Sequence, residues 1–374
     1  MNFKERKECV ICRGKSLRTY FEEDKSIPMG NNVVDTKQET FYTMPYNIQQ
    51  CTVCLSYQIK YIADISILYE NSFAGAYGSI RSTHNTLFAS FITENSKVDA
   101  VCEIGAGNGE LSDIILETKQ IPYTIIDPSY CGKKENKEVI CTYFENCRSC
   151  DISANTLVMS HVFEHFYSPL DILQKINSLE SIQYIYLSFP DLESFIAEGT
   201  YLVLTPEHTF YIDNSFLIRL FEQHGFRLQR TYSHMNHSVF FEFYRSTQVI
   251  PTQSLVHDTS VTERIDNFFK RLEQSIEAVK IQDHEGSPSY IWPCSMHTIF
   301  CLSMGLPGNS IANVLDNSPL KIGKYLFGFN LECRSFNEVI ESNAKKTILL
   351  AGGCYNREVL QKVKENKANT FYLL

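Results

Sequence analysis

The stretch Val98–Leu111, VDAVCEIGAGNGEL, sets the fold class of the chain. Its first half, ending at Ile104, is a short apolar run of the kind that forms a strand buried on both faces. Glycine then stands at 105, 107 and 109, and a helix-like segment with Leu111, Ile114 and Ile115 follows. Strand, glycine turn and helix in that order let the backbone come close to a ligand at the carboxyl edge of a parallel sheet. Glu103, just before the turn, is placed to accept hydrogen bonds, through water, from a cationic part of that ligand. Gly105, Gly107 and Gly109 are expected to lie along it.

Downstream, the strand Tyr123–Ile126 runs into Asp127, whose carboxylate can take both hydroxyls of a ribose. Tyr143-Phe144-Glu145 precedes a polar turn, and Phe144 is expected to line an adenine pocket. TLVMSHVFEH predicts another strand, with Ser160 and His161 at the binding edge, and YIYLSFP one more. Short apolar runs alternating with helix-like stretches over residues 63–246 are the sequence form of a doubly wound, Rossmann-like α/β sheet. Spacing alone leaves the cofactor open between S-adenosylmethionine (SAM) and a dinucleotide.

Two flanking segments differ from this pattern. Residues 1–62 are polar, with little helical periodicity, and carry Cys9-x-x-Cys12 and Cys51-x-x-Cys54. Each pair can put two thiolates on one side of a tight turn, and four thiolates in a tetrahedron suit a structural Zn²⁺. A closed four-sulfur shell leaves no position for substrate, so the metal's expected role is stability. Cys147-x-x-Cys150 has no fourth or fifth partner near it in sequence and reads as incidental, and Cys102 as core. Residues 247–374 predict a helix opened by a Ser260-x-x-Glu263 capping box, with Val261, Ile265, Phe268, Phe269, Leu272, Ile276 and Val279 on one stripe. SIANVLDN and KTILLAGG then read as strands of a second, smaller α/β unit.

The composition sets outer bounds. A chain of 374 residues with 44% hydrophobic content can build about two or three packed domains. A net charge of −9 lacks the basic footprint that a nucleic-acid partner requires. No run approaches the ~20 apolar residues of a membrane span, and Met1–Lys15 is too charged for a secretory signal, so a cytoplasmic location is expected. Thirteen cysteines is an odd number, which, with the paired spacing, favours metal ligation over disulfides.

Taken with these residues, the chain resembles the nucleotide-sugar C-methyltransferases over almost its whole length. Glu-x-Gly-x-Gly-x-Gly at 103–109 and HVFEHFYSPLDIL are similar to the SAM-dependent methyltransferase superfamily, which favours SAM over a dinucleotide. FYTMPYNIQQCTVCLSYQ resembles the family's second zinc knuckle, and PEHTFYIDNSFLIRLFEQHGFRL its Glu-His motif and following helix. HMNHSVFFEF resembles the sugar-facing strand, and VLDNSPLKIGKYLFGFNL a C-terminal motif. The resemblance implies an N-terminal zinc domain, a central SAM domain and a C-terminal Rossmann-like domain. It implies methylation of a carbon in a nucleotide-linked keto-deoxysugar by a monomer or homodimer, with His208 as general base and Glu207 as its acidic neighbour. His237 and Ser238 fall at the implied substrate edge, and Tyr77 at the position of a second acid/base group.

The chemistry is consistent with those residue types. A carbon beside a ketone becomes a nucleophile once its proton is removed, and an imidazole can take that proton near neutral pH. Two departures stand out. ENSFAGAYGSIRS offers Phe73 and Tyr77 without a clear register, and YIWPCSMHT replaces the family's glycine-containing turn. Methylation of an oxygen or nitrogen of a small metabolite, and a silent member that only binds a nucleotide-sugar or a partner, are the competing expectations.

Overall fold

The computed structural model describes residues 3–28, 33–65, 79–247, 255–282, 289–306, 308–341, 346–352 and 370–373. Near the N-terminus, β1 (Lys4–Glu5) pairs with β6 (Tyr61–Ile62). β2 (Leu17–Pro28), β4 (Thr43–Cys51) and β5 (Tyr57–Ile59) form an antiparallel sheet, whose fourth strand, β12 (Phe210–Tyr211), comes from the middle of the chain. β3 (Val33–Val34) pairs with β17 (Tyr325–Leu326) of the C-terminal part. A small sheet has one apolar face to cover. Here Tyr46, Ile48, Tyr57 and Ile59 pack in one core with residues from the long helix Thr259–Gln282.

The central sheet has seven strands. β7 (Val101–Ile104), β8 (Tyr123–Ile126), β9 (Glu138–Ile140), β10 (Thr156–Ser160) and β11 (Tyr184–Pro190) are parallel, and the hairpin β13 (Phe226–His234) and β14 (Ser238–Arg245) is added antiparallel to β11. The order is β13-β14-β11-β10-β7-β8-β9. Leu157 and Met159 of β10 enter one core and Val158 the other, so both faces are covered. That explains why these strands read as continuous apolar runs and not as alternating ones. The chain runs from β7 outward to β9 and then returns to β10 beside β7. The crevice where ligands bind such sheets therefore opens between the carboxyl ends of β7 and β10.

Helices α1 (Ser79–Thr93), α2 (Glu110–Thr118), α3 (Pro169–Ser178), α4 (Leu192–Ala197) and α5 (Asn214–Gln223) accompany this sheet. The long helix α6 (Thr259–Gln282) buries the predicted stripe from Val261 to Ile276, but it does not start on the expected capping box. Asp258 accepts the Ser260 N–H at 2.9 Å, and Ser260 already lies inside the helix. Asp258, two residues earlier and outside the helix, takes the capping role that Ser260 could fill only by leaving the helix. The C-terminal strands β15 (Ser289–Trp292), β16 (Ile311–Asp316), β18 (Cys333–Ser335), β19 (Thr347–Leu350) and β20 (Thr370–Leu373) form an all-parallel sheet in the order β18-β16-β15-β19-β20. Helix α7 (Met296–Ser303) follows β15. The architecture is α/β, with a Rossmann-like central sheet and a smaller all-parallel C-terminal sheet.

Candidate active site

Gly105, Gly107 and Gly109 have φ of +69°, +59° and +77°, a region costly for residues with a Cβ. A Cβ on Gly105 would stand 2.7 Å from Val162 Cγ2, and one on Gly109 2.5 Å from the Tyr130 hydroxyl. The turn is therefore pressed against its own surroundings as well as opened to a ligand. Gly107 N–H donates to Asp127 Oδ2 at 2.8 Å, while Asp127 Oδ1 accepts the Ser129 N–H at 2.7 Å. Glu103, 2% exposed, accepts the Tyr123 hydroxyl at 2.8 Å. Two buried carboxylates thus stand beside one turn, each held in place by an N–H or hydroxyl donor of the protein.

On the facing strand end, Ser160 is buried and its hydroxyl finds no partner among the described residues. His161 follows with φ +54°, a left-handed conformation uncommon for histidine and concentrated at functional sites. Phe144 corrects an expectation. It is 1% exposed, sits in the core and carries the Lys175 ammonium 4.9 Å from its ring centre, so it has no face to offer adenine. Its neighbour Tyr143 is half-buried, and burial, with the charges of Asp64, Glu145 and Asp127, raises its pKa. That phenol is the aromatic beside Asp127. One position at the start of the 3-10 turn Phe144–Asn146 separates the buried ring from the half-buried one, and composition alone does not assign which is which.

Histidines crowd the crevice. His84 of α1 makes a 2.8 Å contact from Nε2 to Ser188 Oγ, and its ring centre lies 5.2 Å from His161 and 5.6 Å from His234. His237, in the β13–β14 turn, lies 5.3 Å from His161, and its Nδ1 is 3.3 Å from Ser238 Oγ at the start of β14. Tyr77 and Phe73 lie outside the described residues.

His208 does not directly follow β11. Helix α4 and the 3-10 turn Tyr201–Leu204 intervene, and Phe210–Tyr211 beyond it joins the N-terminal sheet. His208 Nδ1 pairs with the Val203 carbonyl at 2.9 Å, so Nδ1 carries the hydrogen and Nε2 the lone pair. Nε2 faces Glu164 Oε1 at 3.9 Å, and the same oxygen is 3.2 Å from His161 Nδ1. Burial lowers the His208 pKa, and the Glu164 charge opposes it. The acid facing the ring is thus Glu164, 1% exposed, while burial pushes Glu207 up to about 7. Glu164 stands three residues after His161 on the short turn Phe163–His165, a spacing that signals one local cluster.

The four N-terminal cysteines also converge. Sγ–Sγ distances are 3.6 Å for Cys9–Cys54 and 3.5 Å for Cys12–Cys51, and all four sulfurs lie within 4.8 Å of one another. A tetrahedral Zn–S length of about 2.3 Å implies sulfurs about 3.8 Å apart, so the set fits. The two knuckles repeat one geometry. Arg13 N–H bonds Cys9 O and Leu55 N–H bonds Cys51 O, both at 2.9 Å, and Arg13 and Leu55 both have φ +60°. Cys102 and Cys147 are buried in the central core, and the Cys150 side chain is outside the described residues.

Residues 77–231 match a family model described as a methyltransferase domain. No curated protein matches the sequence. Similar solved structures include the mitomycin 7-O-methyltransferase MmcR, at 16% identity over 49% of this chain and 59% of that one, with a TM-score of 0.38. The plantazolicin methyltransferase BpumL in complex with SAH aligns at 15% identity over 45% and 84%, with a TM-score of 0.35. The methyltransferase domain of bacterial CtHen1-C aligns at 13% identity over 45% and 100%, with a TM-score of 0.37. The family match begins ahead of the glycine turn and runs through the histidine loop, so residues 77–231 carry a methyltransferase domain.

Proposed function

We propose that this methyltransferase moves the methyl group of SAM onto a carbon of a nucleoside-diphosphate keto-deoxysugar, with His208 as the base. The observation that carries the base assignment is the Nδ1 bond to the Val203 carbonyl, which leaves the Nε2 lone pair in the crevice opposite Glu164. SAM supplies an electrophilic sulfonium methyl. Glu103, the glycine turn, Asp127 and Ser160 hold the cofactor, with Tyr143 and His161 at its edge. His208 Nε2 takes the proton from the carbon beside the ketone, and Glu164 holds the imidazolium that results. The carbon's electron pair then forms the new bond to the methyl group, and the sulfur keeps the pair it shared.

His237 and Ser238 position the sugar, and the division into residues 1–62, 63–246 and 247–374 gives the nucleotide a second surface in the C-terminal sheet. The Cys9, Cys12, Cys51 and Cys54 set holds Zn²⁺ as a structural clamp. The sugar class rests on the resemblance of PEHTFYIDNSF and HMNHSVFFEF to that family. The test is incubation with SAM and a panel of nucleoside-diphosphate 4-keto-6-deoxy sugars, read by mass and by the attachment atom. A methyl on carbon is expected, with His208→Ala lowering turnover by about 10²–10⁴ while SAM affinity holds. Methyl on oxygen or nitrogen alone, or an undiminished His208→Ala, overturns it.

A further inference from the structure

We propose that Glu164, His165 and His208 form a binding site for one divalent transition-metal ion, and that filling it silences His208. One ligand atom from each lies within 4.8 Å of the others. The 3.9 Å from His208 Nε2 to Glu164 Oε1 is too long for a direct hydrogen bond. It is within the span of two ligands that each sit about 2.0–2.2 Å from one ion. A cavity of about 10 Å³, lined by Glu164, His208, Phe189, Val203 and Tyr211, adjoins the pair. That is room for one water-sized body beside the two side chains.

The donor set has its own preference. Two imidazoles and one carboxylate suit zinc, cobalt, nickel or ferrous iron better than magnesium or calcium, which favour oxygen alone. His165 has no part in the proton transfer above, yet its ring centre stands 5.0 Å from that of His208, at 87° to it. His161 Nδ1, 3.2 Å from Glu164 Oε1, is placed as the outer partner that orients a ligating carboxylate. The chemistry differs from the N-terminal four-sulfur set, so the two sites select ions differently. A metal on Nε2 uses the electron pair that a base needs, and the two roles exclude each other. Binding is independent of the acceptor's identity, while the inhibition rests on His208 acting as the base.

The test adds Co²⁺ alone to the full-length protein with its N-terminal cysteines metal-loaded, and reads both the visible absorption and turnover. Cobalt on nitrogen and oxygen is told from cobalt on sulfur by the absence of intense near-ultraviolet charge transfer. One equivalent is expected to bind, with turnover falling at least about tenfold and returning on chelation. His165→Ala and His165→Gln are expected to lose the cobalt signal and the inhibition while keeping parent turnover and SAM affinity, which also reports their folding. His208→Ala is expected to lose the signal as well. No nitrogen–oxygen cobalt signal in the parent protein overturns the site and leaves the base intact. A signal accompanied by unchanged or increased turnover keeps the ion and overturns the silencing, and with it His208 as base.

Discussion

Gly109 shows how tightly single residues are constrained here. Its φ of +77° and the Tyr130 hydroxyl 2.5 Å from a Cβ at this position tax any side chain twice. Gly109→Ala is expected to weaken SAM binding by about tenfold or more in calorimetry, because displacing Tyr130 shifts the turn and each ~1.4 kcal/mol is a factor of ten. Unchanged affinity would mean the turn does not touch the cofactor. The carboxylates near His208 make a second comparison. Glu164 faces Nε2 at 3.9 Å, whereas Glu207 is held toward its neutral form by burial. Glu164→Gln is therefore expected to lower kcat by about 10–100-fold with KM nearly constant, since its charge matters once the imidazolium forms. Glu207→Gln is expected to do less, and the reverse order of effects would return the orienting role to Glu207. Which carboxylate does this was not legible in PEH, because the nearest residue in sequence is not the one the fold turns toward the ring.

At the level of elements, the cysteine knuckles are more than an appendage. Cys9, Cys51 and Cys54 pack in the same core as Ile172 of α3 and Phe216 of α5, and the Cys54 carbonyl accepts the His257 N–H at 2.8 Å. Freshly prepared protein is expected to hold about one Zn²⁺ per chain by elemental analysis. Cys51→Ser should lose it and lower Tm, and a metal-free parent with unchanged Tm would remove the clamp. The start of α5 depends on a buried cap of its own. Asp213 accepts the Phe216 N–H at 2.7 Å and faces His257 Nδ1 at 3.3 Å. Asp213→Ala is expected to cost about 1–2 kcal/mol in denaturant melts, while SAM affinity at low temperature stays unchanged. The 3.6-residue stripe of α6 was legible because helix periodicity is local, but its cap was not, since Asp258 and Ser260 both suit the role by type.

Across the whole molecule, the C-terminal unit is joined to the central one by a buried imidazole. His297 of α7 accepts the Tyr201 N–H at 3.0 Å, and burial lowers its pKa to about 4 from the usual 6.5. The folded chain keeps this ring neutral, so between those values the unfolded chain binds the extra proton. The contribution is complete above about pH 6.5 and is lost as pH falls toward 4, by roughly 3 kcal/mol in all. Melting across that window should show the slope, and His297→Gln should flatten it; an unaltered slope would place the acid sensitivity elsewhere. The sequence by itself determined the parallel strands, the glycine turn with Glu103 and Asp127, and the two cysteine pairs, because each depends on residues a few positions apart. The tertiary structure alone decided that Phe144 is core and Tyr143 is not, that Phe210–Tyr211 completes the N-terminal sheet, that the rings of His84, His161 and His237 meet, and that His161 and His208 face the same oxygen of Glu164. Those juxtapositions join residues far apart in the chain, and they depend on how sheets and helices cover one another's apolar faces, which no local spacing encodes.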